Sequence, residues 1–233
     1  MATIPTGLQA RILAVRTRIA AACAAAGRPA DAVQLLAVSK AFPADTVRAA
    51  AAAGLRDFGE NYVQEAQGKI DATRDLALAW HFIGPIQSNK TRPIAEQFDW
   101  VHTVDREKVA RRLSEQRPAG RAPLNACIEV NISGEASKNG VAPVEVEVLA
   151  RLMAGLPRLR LRGLMTIPEP TGDMALRRRR FAQLRELLAM LAGKGIALDT
   201  LSMGMSADLE AAVAEGATIV RVGTAIFGER TKT

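Results

Sequence analysis

An alternation constrains this chain more than any other feature. Short apolar runs rich in β-branched and aromatic residues recur eight times, separated by longer segments with helical spacing. The runs are Gln34–Ser39, Asp57–Gly59, Trp80–Ile83, Trp100–Thr103, Ala126–Ile132, Leu161–Thr166, Thr200–Met203 and Ile219–Val222. Helical patterns occupy Ala44–Ala53, Tyr62–Thr73, Arg106–Gln116, Val144–Ala154, Ala175–Ala192 and Ala207–Ala214. Another follows Ser88, with Pro93 near its start or at a kink. The pattern predicts an α/β fold, a single (β/α)8 barrel, with an open doubly wound sheet as its rival. The count of eight and the lack of a G-x-G-x-x-G turn after any strand favour closure. Only about ten residues follow the last run, too few for a full eighth helix. An extra N-terminal helix is expected to cover that gap. Its apolar stripe is Leu8, Ile12, Val15, Ile19 and Cys23, behind a capping box of Thr6 and Gln9. With no linker or internal break, one domain over residues 1–233 is expected.

Composition removes several function classes. No stretch approaches ~18 apolar residues, so no membrane span is expected. Cys23 and Cys127 lie in apolar surroundings without redox or metal spacing, which points to a reducing, cytoplasmic setting. His81 and His102 are the only histidines, too few for a recognisable zinc site and read instead as satisfied barrel residues. The net charge is +7, and the run from Arg177 to Arg180 supplies four of the positive charges. Aromatic residues are only 4% of the chain, and Phe181 alone flanks that run. It reads as a solvated, partly snorkelling helix face, so no nucleic-acid partner is expected. The surplus charge suits anionic small molecules. The first acidic residue is Asp31, so the N-terminus superficially resembles an Arg-rich transit peptide. The stripe from Leu8 to Cys23 is better accounted for by a docked helix.

In a barrel of this kind, chemistry gathers where strands end and loops begin. Lys40 stands at the first such end, Glu60 and Asn61 at the second, Gly84 at the third, and Asn131 and Ser133 at the fifth. Met165 and Thr166 close the sixth strand, Ser206 follows the seventh, and Gly223 and Thr224 follow the eighth. Lys40 is delivered by Leu35-Leu36-Ala37-Val38-Ser39 to an apolar mouth. Desolvation there favours the neutral amine that attacks a carbonyl; a lysine snorkelling from a strand end is the alternative. Ser202-Met203-Gly204-Met205-Ser206 and Val222-Gly223-Thr224 offer hydroxyls and glycine turns where barrels often hold phosphate. A helix cap at Ser206 and a plain turn at Gly223 explain the same residues. Arg221, inside an apolar strand and on the same side as Gly223, needs a carboxylate or a ligand acceptor. Glu60 and Glu65 read as helix N-terminal charges, and helix packing accounts for Tyr62.

A Schiff-base lysine, a phosphate cradle and a barrel arginine are the parts of a pyridoxal 5'-phosphate (PLP) site. The chain resembles the pyridoxal phosphate homeostasis protein family, which is alanine racemase N-terminal-domain-like. The matching blocks are LLAVSK (Leu35–Lys40), FGENYVQEA (Phe58–Ala66), WHFIGPIQSNK (Trp80–Lys90) and VHTVDREKVA (Val101–Ala110). They continue with EVNISGEASKNG (Glu129–Gly140), LRGLMTIPEP (Leu161–Pro170), LSMGMSADLEAAVAEGAT (Leu201–Thr218) and VRVGTAIFGER (Val220–Arg230). The resemblance implies a TIM barrel of the alanine racemase N-terminal type, with PLP as an internal aldimine on Lys40. It implies that Ser206, Gly223 and Thr224 hold the phosphate, that Arg221 approaches the pyridine nitrogen, and that Asn61 lies beside the cofactor. Met165 would line the ring, or serve as a core methionine. Lys138, on the strand 5 loop, would be a second amine or a solvated loop lysine. The family's usual Asp-Tyr after the last block is replaced by Thr231-Lys232-Thr233.

The resemblance therefore implies a cytoplasmic PLP-homeostasis protein, without catalytic residues or metal, that releases or passes on its cofactor by transimination. Its expected partners are PLP and apo forms of PLP-dependent enzymes, and it is expected to be a monomer. The alternative is a weak amino-acid racemase. Racemisation needs a second acid/base group, and with no second domain expected after the barrel the only tyrosine to supply one is Tyr62. A PLP-free aldolase using Lys40 is a third possibility.

Overall fold

The structure, a computed structural model, describes residues 6–135 and 138–229. The side chain of Thr6, and with it the anticipated capping box, lies outside the described residues, as do Ser137 and the tail at 231–233. In chain order the elements are α1 (Thr6–Ala25), β1 (Gln34–Val38), α2 (Ala44–Ala52), β2 (Asp57–Glu60), α3 (Val63–Ala72) and β3 (Ala79–Phe82). After a 3-10 turn at Ser88–Lys90 come α4 (Thr91–Gln97), β4 (Trp100–Val104), α5 (Glu107–Gln116) and β5 (Leu124–Glu129). A second 3-10 turn at Pro143–Glu145 leads into α6 (Val146–Ala154), β6 (Leu159–Met165), α7 (Met174–Gly193) and β7 (Thr200–Ser202). The chain ends in α8 (Leu209–Ala214), β8 (Ile219–Val222) and α9 (Thr224–Phe227). The eight strands are parallel and sequential, and β8 pairs back onto β1 with Arg221 opposite Leu36 and Val222 opposite Ala37.

Strand periodicity divides the side chains into two layers. Phe58, Trp80, Phe82, Val101, Leu164, Leu201, Val220 and Val222 join the core between barrel and helices. There Phe58 meets Trp80 at 5.8 Å between ring centroids, and Phe82 meets Phe98 edge-on at 5.3 Å. Alternate positions face the lumen. His102 of β4 lies within hydrogen-bond reach of Ser202 in β7, at 2.8 Å, a contact possible only through the barrel interior. Pro93 is the third residue of α4, where the missing N–H would have had no intrahelical acceptor, so the helix runs on undisturbed. Asp173 caps α7, accepting from the backbone N–H groups of Ala175 and Leu176.

The outer ring closes as the sequence suggests. Where an eighth helix belongs, α9 has four residues. Helix α1 fills the gap, with Leu8, Ile12, Val15, Ile19 and Cys23 all buried. Arginines staple it on both flanks: Arg11 Nε donates to Ile226 O at 2.6 Å, Arg16 to Gly54 O at 2.9 Å and Arg28 to Val213 O at 2.8 Å. Arg18 pairs with Glu210 at 2.8 Å and donates to Ser206 O at 3.0 Å. The arginine run on α7 is more tied down than a solvated face. Arg178 pairs with Glu215 and Arg180 with Glu169, while Arg177 donates to the carbonyls of Thr171 and Ala207. Among the described residues no helix is long and apolar enough to cross a membrane. Both cysteines are free and buried.

Candidate cofactor site at the mouth of the barrel

The C-terminal ends of β1, β2, β7 and β8 surround a cavity of about 270 Å³, near the lower end of the usual range of ligand pockets of roughly 300–1,000 Å³. Lys40, Asn61, Ser206, Arg221, Gly223 and Thr224 all line it, with Phe42, Ile83 and Ile167 as apolar walls. Six of the seven residues expected in a cofactor site are therefore brought together. Met165 is the seventh. It is fully buried as the last residue of β6 and is not on the cavity wall, where Ile167, two residues on, stands instead.

The segment carrying Lys40 is clamped from behind. Ser39 Oγ donates to Glu60 Oε1 at 2.6 Å, and Lys69 Nζ donates to the same oxygen at 2.7 Å and to Ser39 O at 2.8 Å. Lys69 also reaches Glu65 at 2.6 Å, and Glu65 accepts the backbone N–H of Ala41. Ala41 sits at φ 66°, a left-handed conformation that costs a non-glycine residue about 1 kcal/mol or more. The clamp holds both neighbours of Lys40. Glu60 is thus no helix N-terminal charge: it is fully buried at the end of β2, facing α3. Burial pushes its carboxyl above the ordinary range, against the pull of Lys69 and Ser39.

Arg221 is buried in β8 and held by three contacts. Nη1 donates to Ser202 O at 2.7 Å and to Ser202 Oγ at 2.8 Å, and Nη2 donates to Thr166 O at 2.9 Å. Burial lowers its pKa to about 10, which leaves it cationic at neutral pH. Glu129 is the nearby carboxyl that the sequence reading passed over. Burial, reinforced by Asp105 and opposed by Arg221, raises its pKa to about 7. A glutamate at a strand end inside an otherwise apolar run was the available signal.

The loops around the cavity are shaped by close packing. A Cβ on Gly84 would stand 2.2 Å from the backbone oxygen of Asn61, so only glycine lets β3 end against that residue. Asn61 Oδ1 is buried and without a hydrogen-bond partner among the described residues. Ser206 is not a helix cap, because α8 begins only at Leu209 behind Asp208. Its segment is held by Asp208, which accepts the Met205 N–H, and by Arg18 of α1. Tyr62 is 63% exposed and lines a neighbouring cavity beyond Asn61, so packing does not account for it. Lys138 pairs with Glu135 at 2.7 Å and lines a separate cavity of about 200 Å³ beside Glu129. No group of three or more metal-binding side chains exists among the described residues.

A closed barrel with a lysine at the end of β1 and hydroxyls after β7 and β8 defines a class. The chain matches the family "Alanine racemase, N-terminal domain" over residues 12–231. Within it the chain belongs to the pyridoxal phosphate homeostasis protein family. It is 64% identical over 219 residues to the pyridoxal phosphate homeostasis protein of Pseudomonas aeruginosa, covering 94% of each chain. It is 51% identical over 222 residues to the protein of the same name from Escherichia coli, covering 93% of this chain and 94% of that one. Among solved structures it is similar to PipY of Synechococcus elongatus with PLP bound, at 39% identity and a TM-score of 0.83, covering 95% of this chain and all of that one.

Proposed function

We propose that the chain is a PLP-holding protein, one barrel domain over residues 1–233, that keeps the cofactor bound and yields it to other amines. The observation that carries this reading is the convergence of Lys40, Ser206, Thr224 and Arg221 on one cavity. The donor set fits PLP: a primary amine for an aldehyde, two hydroxyls and a glycine turn for a phosphate, and a buried guanidinium for a ring acceptor. The orphaned Asn61 Oδ1 offers a further acceptor at the same wall. Bound there, PLP supplies an aldehyde that condenses reversibly with a primary amine. Lys40 is that amine, and the Glu60–Lys69–Glu65 clamp fixes its backbone. Ser206, Gly223 and Thr224 would hold the phosphate end, and Arg221 would be the cation nearest the ring acceptor. An arginine there opposes protonation of that nitrogen and so weakens the electron sink that racemisation needs. Tyr62, exposed and on the neighbouring cavity, is poorly placed to supply a second acid/base group. Both points favour a carrier over an enzyme; apo PLP-dependent enzymes as recipients, a monomeric state and a cytoplasmic setting belong to the same proposal.

The test combines PLP titration by visible absorbance, borohydride reduction and peptide mapping. A Schiff-base band with the reduced label on Lys40, both absent from Lys40→Ala, is the expected result. Proton–deuterium exchange at the α-carbon of amino acids should stay at the level of free PLP. Exchange well above that level would make the protein an enzyme, and no band would remove PLP from the reading altogether.

A further inference from the structure

A chain of hydrogen bonds crosses the barrel lumen and ends on Arg221. Asp57 Oδ1 lies 3.2 Å from His81 Nε2, and His81 Nδ1 lies 3.0 Å from His102 Nε2. His102 Nδ1 lies 2.8 Å from Ser202 Oγ, which accepts from Arg221 Nη1 at 2.8 Å. Four strands contribute beyond β8, namely β2, β3, β4 and β7, and Asp57 alone among the members has appreciable solvent access, its side chain being 23% exposed.

The ends of the chain, together with a single N–H on each imidazole, set its direction. A guanidinium only donates and a carboxylate only accepts. Burial raises the pKa of Asp57, but hydrogen bonds from His81 and Gln34 carry it below the ordinary value, so it is an anion. His102 is fully buried, and that burial holds it well below the usual histidine range, so it has one N–H to give. With Nε2–H on both imidazoles, every link has one proton. Arg221 donates to Ser202 Oγ, Ser202 to His102 Nδ1, His102 Nε2–H to His81 Nδ1, and His81 Nε2–H to Asp57. A second N–H on His81 would turn His102 around and leave the Ser202 hydroxyl proton without an acceptor in the chain.

We propose that Asp57, His81, His102 and Ser202 form a one-directional relay that positions the guanidinium of Arg221 at the cofactor cavity. The relay rests on the PLP reading only for what Arg221 touches; its own order is a property of the protein without ligand. Ser202 Oγ can face Arg221 as an acceptor because its proton is committed to His102. His102 accepts that proton because its other nitrogen is committed to His81, and Asp57 anchors the whole. These are positioning residues, acting through Arg221 and not on the ligand.

Two measurements on the full chain test this. Imidazole 15N shifts of histidine-labelled protein without PLP read the tautomers directly, and two histidines give a simple spectrum. Both rings should be neutral with the proton on Nε2 at pH 7. An Nδ1–H form or a doubly protonated ring at either position overturns the relay. The second measurement is PLP affinity in a double-mutant cycle. Ser202→Ala and His102→Phe should each raise Kd about ten-fold with Arg221 present, and by less than roughly two-fold in an Arg221→Met background. Equal losses in both backgrounds would mean a merely structural role and overturn the proposal. The tautomer result stands even if His102→Phe fails to fold. If the unmodified protein binds no PLP, the functional reading falls, and the 15N spectrum still decides the relay.

Discussion

At the scale of single residues, the cavity is surrounded by groups whose charge is set by burial. Glu129 is 8% exposed, and its pKa is raised to about 7 from an ordinary 4.5. A carboxyl with a raised folded-state pKa binds more protons folded than unfolded, so its stabilising contribution is full below about pH 4.5 and is lost as pH rises through about 7. Glu129→Gln should therefore match the unmodified protein near pH 4. Near pH 8 the variant should be the more stable of the two, by on the order of 3 kcal/mol. Urea unfolding of both proteins across that range checks this, and a difference independent of pH would count against a protonated Glu129. The sequence made six of the residues that line the cavity legible, because strand ends in a barrel project toward one mouth. It did not reveal Glu129 as titratable, since the shift comes first from burial and then from Asp105, against Arg221, all of them set only by the closed ring. Nor did it reveal the order among His81, His102 and Ser202, since the histidines read only as satisfied barrel residues and Ser202 as part of a phosphate cradle.

At the scale of elements, β1, β2 and α3 share one buried ionic clamp. Lys69 and Glu60 are both nearly or fully buried, 2.7 Å apart, so removing one partner strands the other in low dielectric. Lys69→Met should cost about 3–5 kcal/mol and release the segment around Ala41, weakening PLP binding. Adding Glu60→Gln removes the stranded charge and should restore most of the stability. It should not restore the affinity, because Ser39 and Ala41 stay unclamped. Thermal unfolding and PLP titration of the single and double variants separate the two effects. A double variant no more stable than Lys69→Met would mean that the pair's charge is not what matters. All eight strands and the intervening helices were legible, because an apolar run and a helical stripe are local patterns. Their ends were less so: β5 begins at Leu124 and ends at Glu129, where the apolar pattern suggested Ala126–Ile132. Glu60 was misread because its partner lies on α3 and faces it only once β2 is in place. Tyr62 was misread because its side chain is largely exposed and lines a cavity at the start of the helix it precedes.

At the scale of the molecule, the first and last strands meet at one seam. β1 and β8 lie roughly 180 residues apart in sequence, so their pairing carries a large loop-closure cost, and that cost grows only slowly with length. The four-residue α9 cannot shield this seam, and α1 stands in for a full helix. Its arginines reach Gly54 after α2 on one side and Glu210 and Ile226 on the other, and Arg28, just past its end, reaches Val213. Through Arg18 it also holds the carbonyl of Ser206, at 3.0 Å, which ties the closing seam of the barrel to a segment that lines the cavity. Ile12 is 2% exposed at the centre of this contact. Ile12→Ala should cost about 2–4 kcal/mol, and the loss should fall unevenly. Amide hydrogen exchange should rise first in β1, β8 and the segment around Ser206, while β3 to β6 keep their protection. PLP affinity should drop with it, and saturating PLP should recover part of the stability, because the ligand binds only the closed form. A uniform rise in exchange around the ring would mean that the barrel opens as one unit, with α1 a mere cover. A rise confined to the seam would make the N-terminal helix part of the cofactor site, although none of its residues lines the cavity.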